Sequence, residues 1–131
     1  MSTVKKTIVP VLLSTVWISV NEFIRNQLVL QNYWTDHYNN LGITFPAEPV
    51  NGAVWGIWSL LFAVAILIIS KRFSLRDTTL LSWLVGFVLM WVVIGNMGVL
   101  PTGILIFAIP WSLVEAFGAA YISHYFTKPR A

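Results

Sequence analysis

TIVPVLLSTVWISVNEFIRNQLVL, residues 7–30, is the stretch on which the reading of the whole chain turns. From Ile8 to Val20 it holds no charge, and then Asn21-Glu22-Phe23-Ile24-Arg25 sets an acid and a base into the same apolar run. A helix crossing about 30 Å of hydrocarbon needs roughly 20 largely apolar residues, and this stretch supplies them. Lys5 and Lys6 ahead of it resemble the start of a secretory leader, but no small-x-small cleavage site follows. It reads as a retained membrane helix. Charge at bilayer depth is costly, so Glu22 and Arg25 are expected to face protein or a watery cavity.

Three further stretches have the same character: 50–70, 78–95 and 103–125. Of the 131 residues, 57% are hydrophobic and 10% charged, against the roughly 25% charged residues of a soluble domain. The expected fold is all-α, an integral membrane four-helix bundle with antiparallel up-down topology, forming one domain over 1–131 with an outer loop at 31–49. Lys5, Lys6, Lys71, Arg72, Arg76, Lys128 and Arg130 all fall at the N-terminus, the second loop or the C-terminus. The first and third loops contain no Lys or Arg. The positive-inside rule therefore predicts both termini in the cytoplasm. Basic residues placed this way set orientation, and no basic patch is interleaved with aromatics, so nucleic acid is not an expected partner.

The turn 71–77 is short, which predicts a hairpin of the second and third spans, with Ser74 or Asp77 as helix cap. The outer loop carries Tyr33, Trp34, Tyr38 and Phe45, suited to the headgroup level, with a short helix around 32–38. At 100° per residue Thr15, Ser19, Glu22, Arg25 and Asn26 share one side of the first helix, with Trp17, Val20, Phe23 and Ile24 elsewhere. Ala108, Ser112, Glu115 and Ala119 form a similar stripe on the fourth. Gly52, Gly56, Ser59 and Ala63 give the second helix the small-residue spacing that lets backbones approach closely, within the chain or across a homodimer. Ser82, Gly86 and Val93 repeat it more weakly on the third.

The rise of 1.5 Å per residue puts Glu22 roughly 12 Å below the outer boundary and Glu115 about 18 Å below its own outer end. Arg25, at i+3, can pair with Glu22. Glu115 has no base on its own helix at similar depth. Unless Arg25 reaches it, Glu115 is expected to stay a neutral acid. Its role is then either a proton- or ligand-binding carboxyl, or a structural acid bonded to an indole, a hydroxyl or the carbonyl freed at Pro110. The seven Trp include Trp17, Trp58, Trp91 and Trp111 at depth, where each indole N–H wants an acceptor. Ordinary packing and an aromatic ligand cavity both fit that pattern.

His37 and His124 fall on opposite sides of the expected membrane and cannot share a metal or haem within one subunit. Asp36, His37 and Glu48 lack ligand spacing of a recognised kind. There is no cysteine, phosphate loop, nucleophile elbow or H-E-x-x-H, so neither a cofactor nor enzymatic activity is expected.

In size and layout the chain resembles the small four-span proteins of bacterial inner membranes. Leu100-Pro101-Thr102-Gly103-Ile104, with Phe107-Ala108-Ile109 and Trp111-Ser112, is similar to a stretch of the small multidrug resistance exporters. Those are four-span homodimers with an embedded glutamate in the first helix, which Glu22 matches in kind. Here the stretch opens the fourth span rather than the third, and Arg25 accompanies the glutamate. Ile57-Trp58-Ser59-Leu60-Leu61-Phe62, after a long loop and Pro49, resembles the start of the second helix in the translocator protein (tryptophan-rich sensory protein) family, which has five spans.

The functional expectation is a bundle in a lipid bilayer that binds or moves a small apolar or cationic molecule. Glu115, Trp111, Trp58 and Ser112 would bound its cavity, with Glu22 and Arg25 near the outer mouth. The alternative is an accessory subunit of a larger membrane complex. Four short helices enclose little volume, so a transport path would call for a homodimer.

Overall fold

Ser2 caps the first helix: its hydroxyl accepts from the Lys5 amide at 3.3 Å, and α1 follows over Thr3–Phe23. The computed structural model describes residues 2–128, so Arg130 lies outside the described residues. α1 runs on into a π-helical turn, Ile24–Val29. The short α2 (Gln31–Asn40) follows, then α3 (Pro49–Ser70). α4 (Leu75–Trp83), a second π-helical turn (Leu84–Val88) and α5 (Leu89–Asn96) make one continuous rod. A 3₁₀ turn, Thr102–Ile104, opens α6 (Leu105–Thr127), which passes through Pro110 without a break. Among the described residues there is no strand.

Four rods, Thr3–Val29, Pro49–Ser70, Leu75–Asn96 and Thr102–Thr127, are long and apolar enough to cross a membrane. This is consistent with a multi-pass membrane protein. Each rod begins one to four residues ahead of the expected start, with side-chain caps at the first three, and the first ends at Val29, one short of the expected 30. Ser74, rather than Asp77, caps α4, its hydroxyl accepting from the Asp77 amide at 3.1 Å. Pro49 begins α3, and the Asn51 side chain accepts from the Glu48 amide at 2.9 Å.

α1 and α6 are antiparallel. Ser14 donates to the Ala119 carbonyl, Trp17 to that of Glu115, and Trp111 to the side chain of Asn21, so contacts fall along α6 as they rise along α1. α1 also packs on α3, α6 on α4, and α3 touches α6 across the bundle. The core is aromatic at its middle: Phe62 and Phe87 meet edge-on with centroids 5.6 Å apart, and Trp58 lies 5.0 Å from Phe62. Ile18, Ala63, Ile66, Ala119 and Ala120 complete it. A smaller cluster of Leu30, Leu100, Ile104 and Ala108 lies under α2. Large apolar side chains such as Leu61, Val92 and Ile106 point outward, as suits a lipid solvent.

The expected stripe on α6 is buried throughout. On α1 it is rotated: Ser14 and Ile18 are fully buried, whereas Thr15 and Ser19 are half-buried. Trp17, expected off that side, is half-buried. Its indole N–H needs an acceptor and finds the Glu115 carbonyl at 2.9 Å, turning the helix toward α6 over Gly118. On α3 the close approach expected at Gly52 and Gly56 is not made. Both are exposed, and a Cβ at either would meet nothing within 4 Å. Ser59 and Ala63, one and two turns on, are the residues that pack. The glycines leave a gap between α1 and α3 in place of a contact.

Candidate functional site

The gap lies beside the only ionic cluster buried among the described residues. At the end of α1 the Leu30 amide donates to the Arg25 carbonyl at 2.7 Å, the i to i−5 bond of the π-helical turn. Glu22, Arg25 and Asn26 are all buried there. Arg25 spans two acids: Nη2 donates to Glu22 Oε1 at 2.6 Å, and Nη1 to Glu115 Oε1 at 2.9 Å. Its guanidinium carbon also sits 5.6 Å from the centroid of the Phe87 ring, within range of a cation–π contact. Phe87 belongs to the second π-helical turn, so both departures from α-helical geometry converge on this guanidinium. Asn26 Nδ2 donates to Glu22 Oε2 at 2.9 Å, and its own carbonyl accepts from the Trp34 indole at 3.0 Å. A continuous chain of bonds thus links α2 to α6 through the first span.

Arg25 does reach Glu115, so the expectation of an unpaired acid gives way to a shared ion cluster. Glu115 is 0% exposed, and its Oε2 has no hydrogen-bond partner among the described residues. Two carboxylates face one guanidinium. With both acids ionised the cluster is one positive charge short of neutral, a costly state for buried groups. A proton or a bound cation completes it.

Two cavities adjoin the cluster. The first, about 450 Å³, lies between the Ser19–Gln27 end of the first span and the Pro46–Ser59 segment. Glu22 and Glu48 are in its wall with Phe23, Trp55, Gly52 and Gly56, and among the described residues no Lys, Arg or His lines it. The second, about 260 Å³, is walled by Arg25, Trp34, Tyr38, Phe45, Phe87 and Trp91, among others. Glu22, Asn26, Pro46, Asn51 and Trp55 border both. Trp34 and Phe45 stack with centroids 5.7 Å apart, so the 31–49 segment roofs the second cavity. His37 ties that roof down, with Nε2 2.8 Å from the carbonyl of Gly98, whose φ of +79° suits the glycine of that turn.

Of the candidates named from sequence, Glu22 lines both cavities and Arg25 the second, while Glu115, Trp111, Trp58 and Ser112 line neither. Trp111 donates to Asn21 Oδ1 at 3.0 Å, and Asn21 in turn donates to the Trp17 carbonyl at 2.8 Å. Ser112 accepts from the Trp83 indole at 2.8 Å. Trp58 packs in the aromatic core. Glu115 acts behind the wall, through Arg25. The residues that sequence reasoning passed over are Trp55 and Asn51. Their signal is the 49–59 register, in which Asn51, Gly52, Trp55, Gly56 and Ser59 recur every three or four positions. The π-helical turns left no local signal. Among the described residues no three His, Cys, Asp or Glu side chains gather to hold a metal. No protein-family model, curated protein or solved structure matches the chain.

Proposed function

We propose that this is a multi-pass membrane protein that binds a small organic cation with apolar arms in the cavity between α1 and α3. One observation supports it above the others: a cavity of about 450 Å³ that has two carboxylates, Glu22 and Glu48, and, among the described residues, no basic side chain in its wall. Phe23, Trp55 and the two prolines around Glu48 supply apolar and aromatic surface for the arms of such a cation. With both of its acids ionised, the Glu22–Arg25–Glu115 cluster carries a charge deficit that favours a positive occupant over a neutral or anionic one.

The bundle's two ends differ in charge, which supports an orientation as well. Lys5, Lys6, Lys71, Arg72, Arg76 and Lys128 sit at the end opposite α2, and their excess there supports a cytoplasmic side for this end. The cavity then opens toward the outer side. Movement of the cation across the membrane would use a pathway completed by a second copy, since the two cavities lie at one end only.

The test is calorimetric titration of the detergent-purified protein with tetrapropylammonium. Saturable binding is expected, weakened about tenfold or more by Glu22→Gln through loss of a charge-assisted contact. Gly56→Leu, whose side chain enters the cavity with no packed neighbour to displace, is expected to block binding while leaving the fold intact. Binding that survives Gly56→Leu contradicts the proposal. So does an absence of binding together with a fixed partner that co-purifies, the result that favours an accessory subunit.

A further inference from the structure

Three helix ends meet at the basic end of the bundle around a third cleft, of about 440 Å³, lined by Thr3, Lys6, Thr7, Lys71, Thr127 and Lys128. The three lysines come from the start of α1, the residue after α3 and the residue after α6. Among the described residues none of them pairs with a carboxylate; the ion pairs are those of Arg25 and Arg76. Three like charges around one cleft repel each other, and an anion between them reverses that repulsion.

The helix termini sharpen the argument. Lys71 and Lys128 lie at C-terminal ends, where a cation suits the helix dipole. Lys6 lies at the opposite kind of end. The first turn of α1 contains no acid, and Lys5 and Lys6 oppose its dipole. A cation held at a helix N-terminus is unfavourable by itself and becomes favourable beside an anion, which both the lysine and the first-turn amides attract. The Thr3 and Thr7 hydroxyls add neutral donors on the same side of the cleft.

We propose that this cleft binds the phosphate of an anionic lipid headgroup. The lipid is the source because the lining residues sit at or beside the ends of three membrane-length helices, where headgroups lie. The inference rests on the membrane reading given above and is independent of the cation cavity, which is at the other end.

Native mass spectrometry of the full chain, released from detergent doped with phosphatidylglycerol or phosphatidylcholine, tests it. The protein is expected to retain phosphatidylglycerol in preference. Lys6→Gln with Lys71→Gln is expected to reduce that preference by roughly 30-fold. Lys5→Gln with Arg72→Gln removes the same charge outside the cleft and is expected to leave most of it. Equal losses in the two variants, or no headgroup preference in the wild type, overturn the proposal. Displacement of the lipid by millimolar inorganic phosphate overturns the lipid source in favour of a free anion. Co-sedimentation of the chain with vesicles checks the membrane reading separately, so its failure is distinguishable.

Discussion

Arg25→Met is expected to cost about 3–5 kcal/mol of stability, the range found when one member of a buried ion cluster is removed. The guanidinium is 4% exposed and is the only cation within hydrogen-bond reach of either Glu22 or Glu115 among the described residues. Its removal leaves two acids facing each other with a methionine between them. The loss therefore comes from uncompensated charge more than from missing contacts, and that origin is testable. Adding Glu22→Gln and Glu115→Gln to Arg25→Met is expected to recover more than half of the lost stability, because amides need no counter-charge. The measurement is denaturant unfolding of the detergent-solubilised protein for wild type, single and triple variants. Losses that simply add from variant to variant would mean that the three side chains do not act as one cluster.

Gly118→Leu is expected to cost about 3 kcal/mol, the upper part of the range for overpacking a tight site. A Cβ at Gly118 would already collide with the Trp17 indole. That ring has little freedom to yield, since its N–H is bonded to the Glu115 carbonyl. Displacing it breaks the bond and opens the α1–α6 seam next to the ion cluster. Gly52→Leu is the matched control. Position 52 has open space around it, so the same substitution is expected to change stability by less than about 0.5 kcal/mol. Equal melting temperatures for the two leucine variants would show that α1 and α6 do not approach as closely as described.

These two glycines also show what was legible in the chain and what was not. The four long apolar helices and the buried stripe Ala108, Ser112, Glu115 and Ala119 follow from apolar length and helical period, which are properties of each segment alone. Gly52, Gly56 and Gly118 look alike in sequence, yet only Gly118 underlies a close contact. The difference is set by which helix lies opposite, and no periodicity within one segment carries that information. The same limit explains Trp17, whose inward turn depends on an acceptor 98 residues away, and the reach of Arg25 to Glu115, 90 residues away. The cluster's acids were visible because charge in an apolar run is conspicuous. Its geometry was not, because two π-helical turns, each without a sequence signature, bring Arg25 and Phe87 together.

The chain has no cysteine, so a single Gly56→Cys substitution reports on the cavity without background. In sealed vesicles carrying this variant, the rate of modification by a charged, membrane-impermeant thiosulfonate measures whether water reaches position 56 and from which side. Modification from the side opposite the basic end, slowed by tetrapropylammonium, is the predicted result. A thiol that stays unmodified, as a lipid-facing residue would, or one that reacts at the same rate with the cation present, contradicts an aqueous cation site beside Glu22.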